Sequence, residues 1–372
     1  MFLTNFLLPS SGCDTLNEED IRRDLYRQVI REQFEKYVWK KYVFILLCIV
    51  GTFILCLYLL TLGDYPIGFW ESFEIVIDHI TGNVGDQTKD FIIWDRRLPM
   101  IIMAIFVGVG LSIAGATMQS VLKNPLADPY TTGISSGASF GATLAIVSGI
   151  TMFAGNWGLI GNAFVFSLIP MGVIILISSI RHTSPTTMIL AGIAVMYSFD
   201  AFTTVIRLHA DSDALKEVYN WGVGSLGYAS WDNLPIIFVV LIIGAIIMQA
   251  LSRVLNVLSS GDDNAKSLGI DADKMRNFAL LVVSLVTASI VCFTGTIGFV
   301  GLVCPHVARI FIGSDNRFLL PASAAFGSML VVFADIIARS LADANLQVGV
   351  ILAFIGGPMF LYILLRQKNE VW

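Results

Sequence analysis

The 372-residue sequence is 56% hydrophobic and only 14% charged, with a formal net charge of −5. With so few charges, its long apolar stretches cannot all face water, which excludes an ordinary soluble domain and indicates a membrane protein with many spans. The acidic balance, without a dense cluster of Lys and Arg, also argues against a nucleic-acid partner.

About forty mostly polar residues precede the first apolar run. Residues 42–61 carry no charge and, as a helix, are long enough to cross the hydrocarbon core. A signal peptide would place its apolar core nearer the start, so this run is interpreted as a retained helix. The leader, residues 1–41, has apolar residues at helical spacing. It is either an amphipathic helix on the inner leaflet or a solvated helical segment.

Apolar runs separated by Pro, Gly and charged clusters predict an all-α, polytopic domain over residues 42–368 with about ten transmembrane helices. The predicted spans are 43–62, 98–120, 133–150, 160–180, 187–207, 233–252, 278–297, 299–313, 318–339 and 348–365. In this topology, seventeen of the 23 Lys and Arg residues lie on the same side of the membrane as the amino terminus. Basic residues favour the cytoplasm, so both termini are predicted to be cytoplasmic in a protein of the inner cell membrane.

Small and polar residues are concentrated at 114–142, between the second and third spans. Gly and Ala let helix backbones approach closely in lipid, whereas Pro125 and Pro129 interrupt helical hydrogen bonding. Irregular backbone at membrane depth is tolerated only against protein or beside a wet cavity. The block is therefore predicted to be a packing and hinge element. Its candidate residues are Gly115, Asn124, Pro125, Pro129, Gly133 and Gly137.

The longest cytoplasmic segment between spans is 253–277. Asp262 is predicted to cap a short helix that ends at Gly269, and Asp271 to cap a second helix. Two short helices form a compact knob rather than a flexible linker. Such a knob is suited to contact a soluble partner.

Ionisable residues inside apolar runs receive a functional interpretation, because an unpaired charge in lipid is costly. Asp335 and Arg339 have i,i+4 spacing and are predicted to pair, either as a simple helix-end ion pair or in a functional role. Asp200 lies deeper and is predicted to face the protein interior or a water-filled path.

Familiar catalytic motifs are absent from the sequence. It has no Walker-type loop, no GxSxG motif and no pair of histidines at the spacing of a helical zinc site. The chain is therefore predicted to lack an ATPase site of its own, and no residue is assigned as a metal ligand.

Eight stretches together form a recognisable pattern from about residue 94 to residue 365. They are RRLPM (96–100), AGATMQSVLKNPLADPYTTGISSGASFGA (114–142), RHTSPTTMILAGIA (181–194), WGVGSLGYASW (221–231), GDDNAKSLGI (261–270), GTIGFVGLVCPHVAR (295–309), ADIIAR (334–339) and VGVILAFIGGPMFLYIL (348–364). In this order they resemble the FecCD-type permeases of ABC importers, which take up ferric siderophores, haem and cobalamin.

The resemblance implies the fold of a type II ABC importer permease that forms a homodimer around a central path. It also implies two cytoplasmic ABC ATPase subunits, which would hold the ATP and Mg, and an extracytoplasmic binding protein. No cofactor is expected on this chain. The implied cargo is a metal chelate, with an iron–siderophore as the leading candidate and haem or cobalamin as the others.

The resemblance also assigns roles to individual residues. Arg97 and Arg339 match the positions that dock the binding protein. The family often reads RLPR, whereas this chain has Met100 in the last place, and the adjacent Arg96 is the candidate replacement. The inner gate maps onto Ser184, Pro185 and Thr186. The residues implied to couple to the ATPase are Gly261, Asp262, Asp263, Ala265, Leu268, Gly269 and Ile270.

Two other functions stay open on the residues alone. The first is an ion-coupled secondary transporter with Asp200 as its proton or sodium site. The second is a membrane receptor or scaffold that binds without translocating a cargo.

Overall fold

The computed structural model describes residues 18–63, 65–155, 157–181, 184–341 and 346–366. The chain divides into two compact units, Met1–Val43 and Phe44–Trp372. Residues 1–17 of the predicted leader lie outside the described residues, as do 367 and 368 at the end of the predicted permease domain. The rest of the leader, from Glu18, is helical.

The described residues form fifteen α-helices, a π-helical turn at Phe91–Arg97 and a 3₁₀ helix at Pro129–Thr132. The α-helices are α1 (Glu18–Leu59), α2 (Phe69–Thr81), α3 (Gln87–Asp90), α4 (Leu98–Val121), α5 (Ile134–Ser148), α6 (Trp157–Arg181), α7 (Pro185–Arg207), α8 (Ser212–Gly222), α9 (Leu234–Ala250), α10 (Ser252–Ser259), α11 (Asp262–Ser267), α12 (Ala272–Thr294), α13 (Val300–Ile312), α14 (Asn316–Ser340) and α15 (Val348–Arg366).

The all-α prediction is confirmed, and each of the ten predicted spans coincides with an apolar helix, although not every helix has full length. Within the described ranges, six helices are long and apolar enough to cross a membrane. The number becomes seven if α9 and α10, bent by 56°, form one span. Helices α5, α13 and α15 are shorter. Helix α5 is short because a turn and the 3₁₀ helix, packed on α4 and α7, take up the residues before it.

Helices α2 and α8 were not predicted, because neither is a continuous apolar run: in both, apolar and polar residues are mixed. The Asp211 side chain starts α8 by accepting a hydrogen bond from the Ala214 amide at 2.8 Å. Asp, followed by Ser-Asp and a mixed apolar and polar run, is an N-terminal helix signal that could have identified α8.

Helix α4 is the buried centre of the bundle, and it packs extensively against α12, α13 and α14. Its glycines bring backbones together. A Cβ on Gly115 would lie 1.8 Å from the Gly301 carbonyl oxygen of α13, and one on Gly108 would lie 2.4 Å from the Gly327 carbonyl oxygen of α14. Without a hydrophobic drive between helices in lipid, such close contacts supply the packing attraction.

We expect Gly115→Ala to destabilise the bundle by about 1–3 kcal/mol, because its methyl group overlaps the α13 backbone and two helices must separate. The measurement is the thermal unfolding midpoint of the purified chain in detergent. Gly172→Ala in α6 is the matched control, since an added Cβ there meets no atom within 4 Å. Equal midpoints for the two variants would contradict the packing role of Gly115.

Candidate docking, gate and coupling sites

The three arginines that the sequence analysis gave as candidate docking residues lie together at one end of the bundle. Arg96 and Arg97 immediately precede α4, and Arg339 lies in the last turn of α14. All three line one cavity of about 680 Å³, which we call the arginine pocket. Asn220 and Tyr228, which the sequence did not single out, also line it.

Arg97 is only 4% exposed within this pocket. Its guanidinium donates hydrogen bonds to the carbonyl oxygens of Leu60, at 2.6 Å, and Tyr65, at 2.7 Å. It therefore ties the segment after α1 to the start of α4. These contacts give Arg97 a positioning role, whereas Arg96 is exposed and lies over the Phe91 ring at 5.7 Å from its centroid.

The predicted pairing of Asp335 with Arg339 is confirmed. The Arg339 guanidinium donates to the Asp335 carboxylate at 2.7 Å, one turn away on α14. Both side chains are largely shielded, at 14% and 8% exposed, so the pair presents little net charge to the pocket. Met100 lies in the same pocket, at the position where the resembling family often has another arginine. Arg96 therefore presents the most accessible positive charge among these three arginines.

The gate candidates begin α7. The Ser184 side chain caps the helix by accepting a hydrogen bond from the Thr187 amide at 3.3 Å, and Pro185 occupies the first turn. Both residue types suit a helix start. Thr186 is exposed beside them. These residues set where α7 begins, and the structure leaves their predicted gate role as a prediction.

The block after α4 is a turn held by its own side chains. The Asn124 side chain accepts from the Leu126 amide at 2.9 Å, and Pro129 starts the 3₁₀ helix. Gly133 closes that helix with a φ of 86°, a conformation that favours glycine. Gly137 follows in α5, where a Cβ would lie 2.3 Å from the Phe166 carbonyl oxygen. Pro125 is half-buried in the same turn.

Asp262 anchors the predicted coupling segment. Its carboxylate accepts from Lys123, in the turn after α4, and from Arg276 of α12, each at 2.7 Å. Arg276 is 1% exposed and also donates to Asp273 and to the Val121 carbonyl oxygen. Partial burial opposes ionisation of Asp262, but the bonds from Lys123 and Arg276 outweigh it and lower its pKa, so the carboxylate is charged at neutral pH.

The prediction that Asp262 caps a helix is wrong. Helix α11 has Gly261 at its N-cap, with a φ of 127°, and a glycine has no side chain that could cap the helix. Asp262 is the first residue of the helix, and its carboxylate is held by the two cations. The predicted stop at Gly269, with a φ of 76°, and the cap by Asp271, which accepts from the Lys274 amide, are confirmed.

The remaining coupling candidates divide between packing and exposure. Ala265 is buried and its carbonyl oxygen accepts from the Ile270 amide at 2.9 Å, which closes the end of α11. Asp263 is exposed, and the Leu268 side chain is 67% exposed. An apolar side chain this exposed, directly after a helix fixed by ion pairs, offers a contact for another surface.

Sequence reasoning missed Lys123 and Arg276, although both lie in or beside segments it had singled out. Their role depends on the proximity of the turn after α4 to α11, which local sequence does not encode. The sequence did contain one signal: residues of opposite charge, Lys123 and Asp262, lie in two segments that the predicted topology places on the same side of the membrane.

This chain is similar in sequence and in structure to known proteins. The profile of the FecCD transport family matches residues 49–366. The chain belongs to the FecCD transport family. As a FecCD family member with this fold, it is the multi-pass permease component of an ABC importer.

Individual relatives agree with this family assignment. A protein of Methanocaldococcus jannaschii named "Putative ABC transporter permease protein" is 40% identical, over 92% of this chain and 99% of its own length. The hemin transport system permease protein of Yersinia pestis is 34% identical, over 86% of this chain and 96% of its own length. A solved structure is described as "an inward-facing conformation of a putative metal-chelate type ABC transporter". It superposes on this chain with a TM-score of 0.76 at 27% sequence identity, and the match covers 88% of this chain and the whole of the solved chain.

We expect Asp262→Asn to loosen α11 in this FecCD permease, because it removes the charge that holds Lys123 and Arg276. Losing charge-assisted hydrogen bonds worth about 1–3 kcal/mol would speed hydrogen exchange of the α11 amides by about 5- to 150-fold. Asp263→Asn, with the same charge change at an exposed neighbour, is the control. Unchanged exchange in Asp262→Asn would contradict the anchoring role.

Proposed function

We propose that this permease imports a metal chelate across the cytoplasmic membrane as a homodimer, with two cytoplasmic ATPase subunits and an extracytoplasmic binding protein. Both termini would be cytoplasmic. The observation that carries the proposal is the placement of two unlike surfaces at opposite ends of one helix. The arginine pocket lies at the start of α4. The cluster of Asp262 with Lys123 and Arg276 lies at its end, about 36 Å away along a 24-residue helix.

The arginine pocket suits a binding-protein partner with acidic side chains. Charge complementarity speeds encounter and fixes the docked orientation while the complex remains releasable. Arg96 would make the accessible contact, and Arg339 would contribute once an incoming carboxylate competes with Asp335. Arg97 would support the site indirectly, because its bonds to the Leu60 and Tyr65 carbonyl oxygens hold the segment that carries Tyr65 at the pocket wall.

The opposite end suits an ATPase partner. Helix α11 is short, fixed by two cations from different parts of the bundle, and ends beside the exposed Leu268. A rigidly attached contact transmits displacement better than a flexible loop, because a partner that moves α11 must also move α12 and the turn after α4. The likeness to a metal-chelate type transporter supports a chelate as the cargo.

The direct test of function is uptake into proteoliposomes that contain the permease with its ATPase and binding protein. We expect ATP to drive accumulation of at least one of a ferric siderophore, haem and cobalamin. The matched control carries an ATPase subunit with its Walker lysine replaced, which should abolish uptake. Uptake that survives this change and follows an ion gradient would instead establish a secondary transporter.

Docking is tested separately with Arg96→Glu. We expect at least a tenfold loss of affinity for the binding protein, larger at low salt where exposed charges are least screened. The control, Lys216→Glu, reverses an exposed charge on α8 that does not itself line the pocket. Surface plasmon resonance at two salt concentrations measures both. Equal affinities for Arg96→Glu and the parent would remove Arg96 from the docking site.

A further inference from the structure

An exposed carboxylate occurs within the apolar helix α7. Asp200 lies seven residues before the end of this helix at Arg207, about 10 Å along the axis, and its side chain is exposed on the single chain. Among the ion pairs of the described residues, none includes Asp200. A carboxylate at this depth facing lipid would be costly, so this face of α7 is not lipid-facing.

The surroundings of Asp200 are rich in hydroxyl groups. An open cavity of about 310 Å³ is lined by Asp200 together with Tyr130, Ser135, Ser136, Ser139 and Thr296. These residues come from the 3₁₀ helix, from α5 and from the segment between α12 and α13, so separate parts of the chain converge on one polar patch.

Two of these hydroxyls already have backbone partners. The Tyr130 hydroxyl accepts from the Ile297 amide at 3.2 Å, and the Thr296 hydroxyl donates to the Gly222 carbonyl oxygen. At the edge of the patch, the Arg207 guanidinium lies 3.5 Å from the Ser139 hydroxyl oxygen. The patch therefore carries a negative charge inside, a positive charge toward the end of α7, and serine hydroxyls between them.

We propose that this patch, Asp200 with Ser135, Ser136 and Ser139, is a water-filled contact site for a hydrophilic cargo. The hydroxyls exchange hydrogen bonds with amide, hydroxyl or carbonyl groups on a passing cargo. Asp200 favours cargo of neutral or positive charge over anionic cargo. The cargo part of this inference rests on the proposed import function, whereas the wet, negative character of the patch does not.

A water-filled site accounts for the patch better than a covering protein surface. A carboxylate sealed into a protein interface needs a paired cation and full hydrogen bonding to offset its desolvation. The neighbouring cation, Arg207, lies about two turns along the helix and near Ser139 instead. Water supplies the missing hydrogen bonds, and it is the medium in which a chelate would pass without strong ligands.

The test measures charge preference directly, without transport. Ser135→Cys places a thiol in the patch, and Gly298→Cys places one beside it, because Gly298 lines the same cavity and an added Cβ there meets no atom within 4 Å. The full-length permease in lipid nanodiscs is reacted with a cationic and an anionic methanethiosulfonate reagent, each rate being divided by that with a small thiol in solution. The parent chain gives the background from native cysteines. Ile243→Cys, at an exposed apolar position of α9, gives the lipid-facing control.

We expect the patch thiols to react faster than the Ile243→Cys control, with a preference for the cationic reagent of about three- to tenfold at low salt. Asp200→Asn should remove this preference and leave the patch reactive, and Arg207→Gln should increase it.

Thiols no more reactive than the Ile243→Cys control would mean that lipid or protein covers the patch, and would overturn the proposal. An unchanged preference in Asp200→Asn would do the same. If ATP-driven uptake fails while the labelling result holds, the import function is wrong but the wet, negative patch stands.

Discussion

The close approach of backbones along α4 is the constraint on which the rest of this permease depends. Gly115 lies against the backbone of Gly301, and Gly108 against that of Gly327, with no space for a side chain between them. In lipid these contacts fix where α13 and α14 lie relative to α4. Because Arg96 and Arg97 precede α4 and Lys123 follows it, the same contacts set the geometry of both ends of the bundle.

Each end then uses charge in a different way. At the arginine pocket, Arg97 is used internally to hold the segment after α1, Arg339 is paired with Asp335, and Arg96 is left accessible. At the other end, Asp262 joins α11 to α12 and to the turn after α4. On the proposed function, one end is suited to reversible contact and the other to firm transmission of movement. Helix α4 connects them as a common rigid element.

Sequence patterns predicted the parts of this fold that local chemistry decides. Apolar runs located the spans, i,i+4 spacing gave the Asp335–Arg339 pair, and Gly269 and Asp271 marked helix ends. The patterns failed where distant segments compete for one group. Asp262 has the sequence position of a helix cap, yet two cations from other segments hold its carboxylate. The resemblance gave Arg97 a docking role, which stays a prediction. No local pattern indicated that carbonyl groups 37 and 32 residues away would accept hydrogen bonds from its guanidinium.

The central claim is that the arginine pocket and α11 face opposite sides of the membrane. The most direct measurement is labelling of single cysteines with a membrane-impermeant maleimide in right-side-out vesicles. Lys216→Cys reports the pocket side, on α8, and Lys266→Cys reports α11; both positions are exposed. We predict that Lys216→Cys is labelled in intact vesicles and Lys266→Cys only after permeabilisation. Labelling of both variants in intact vesicles would contradict it.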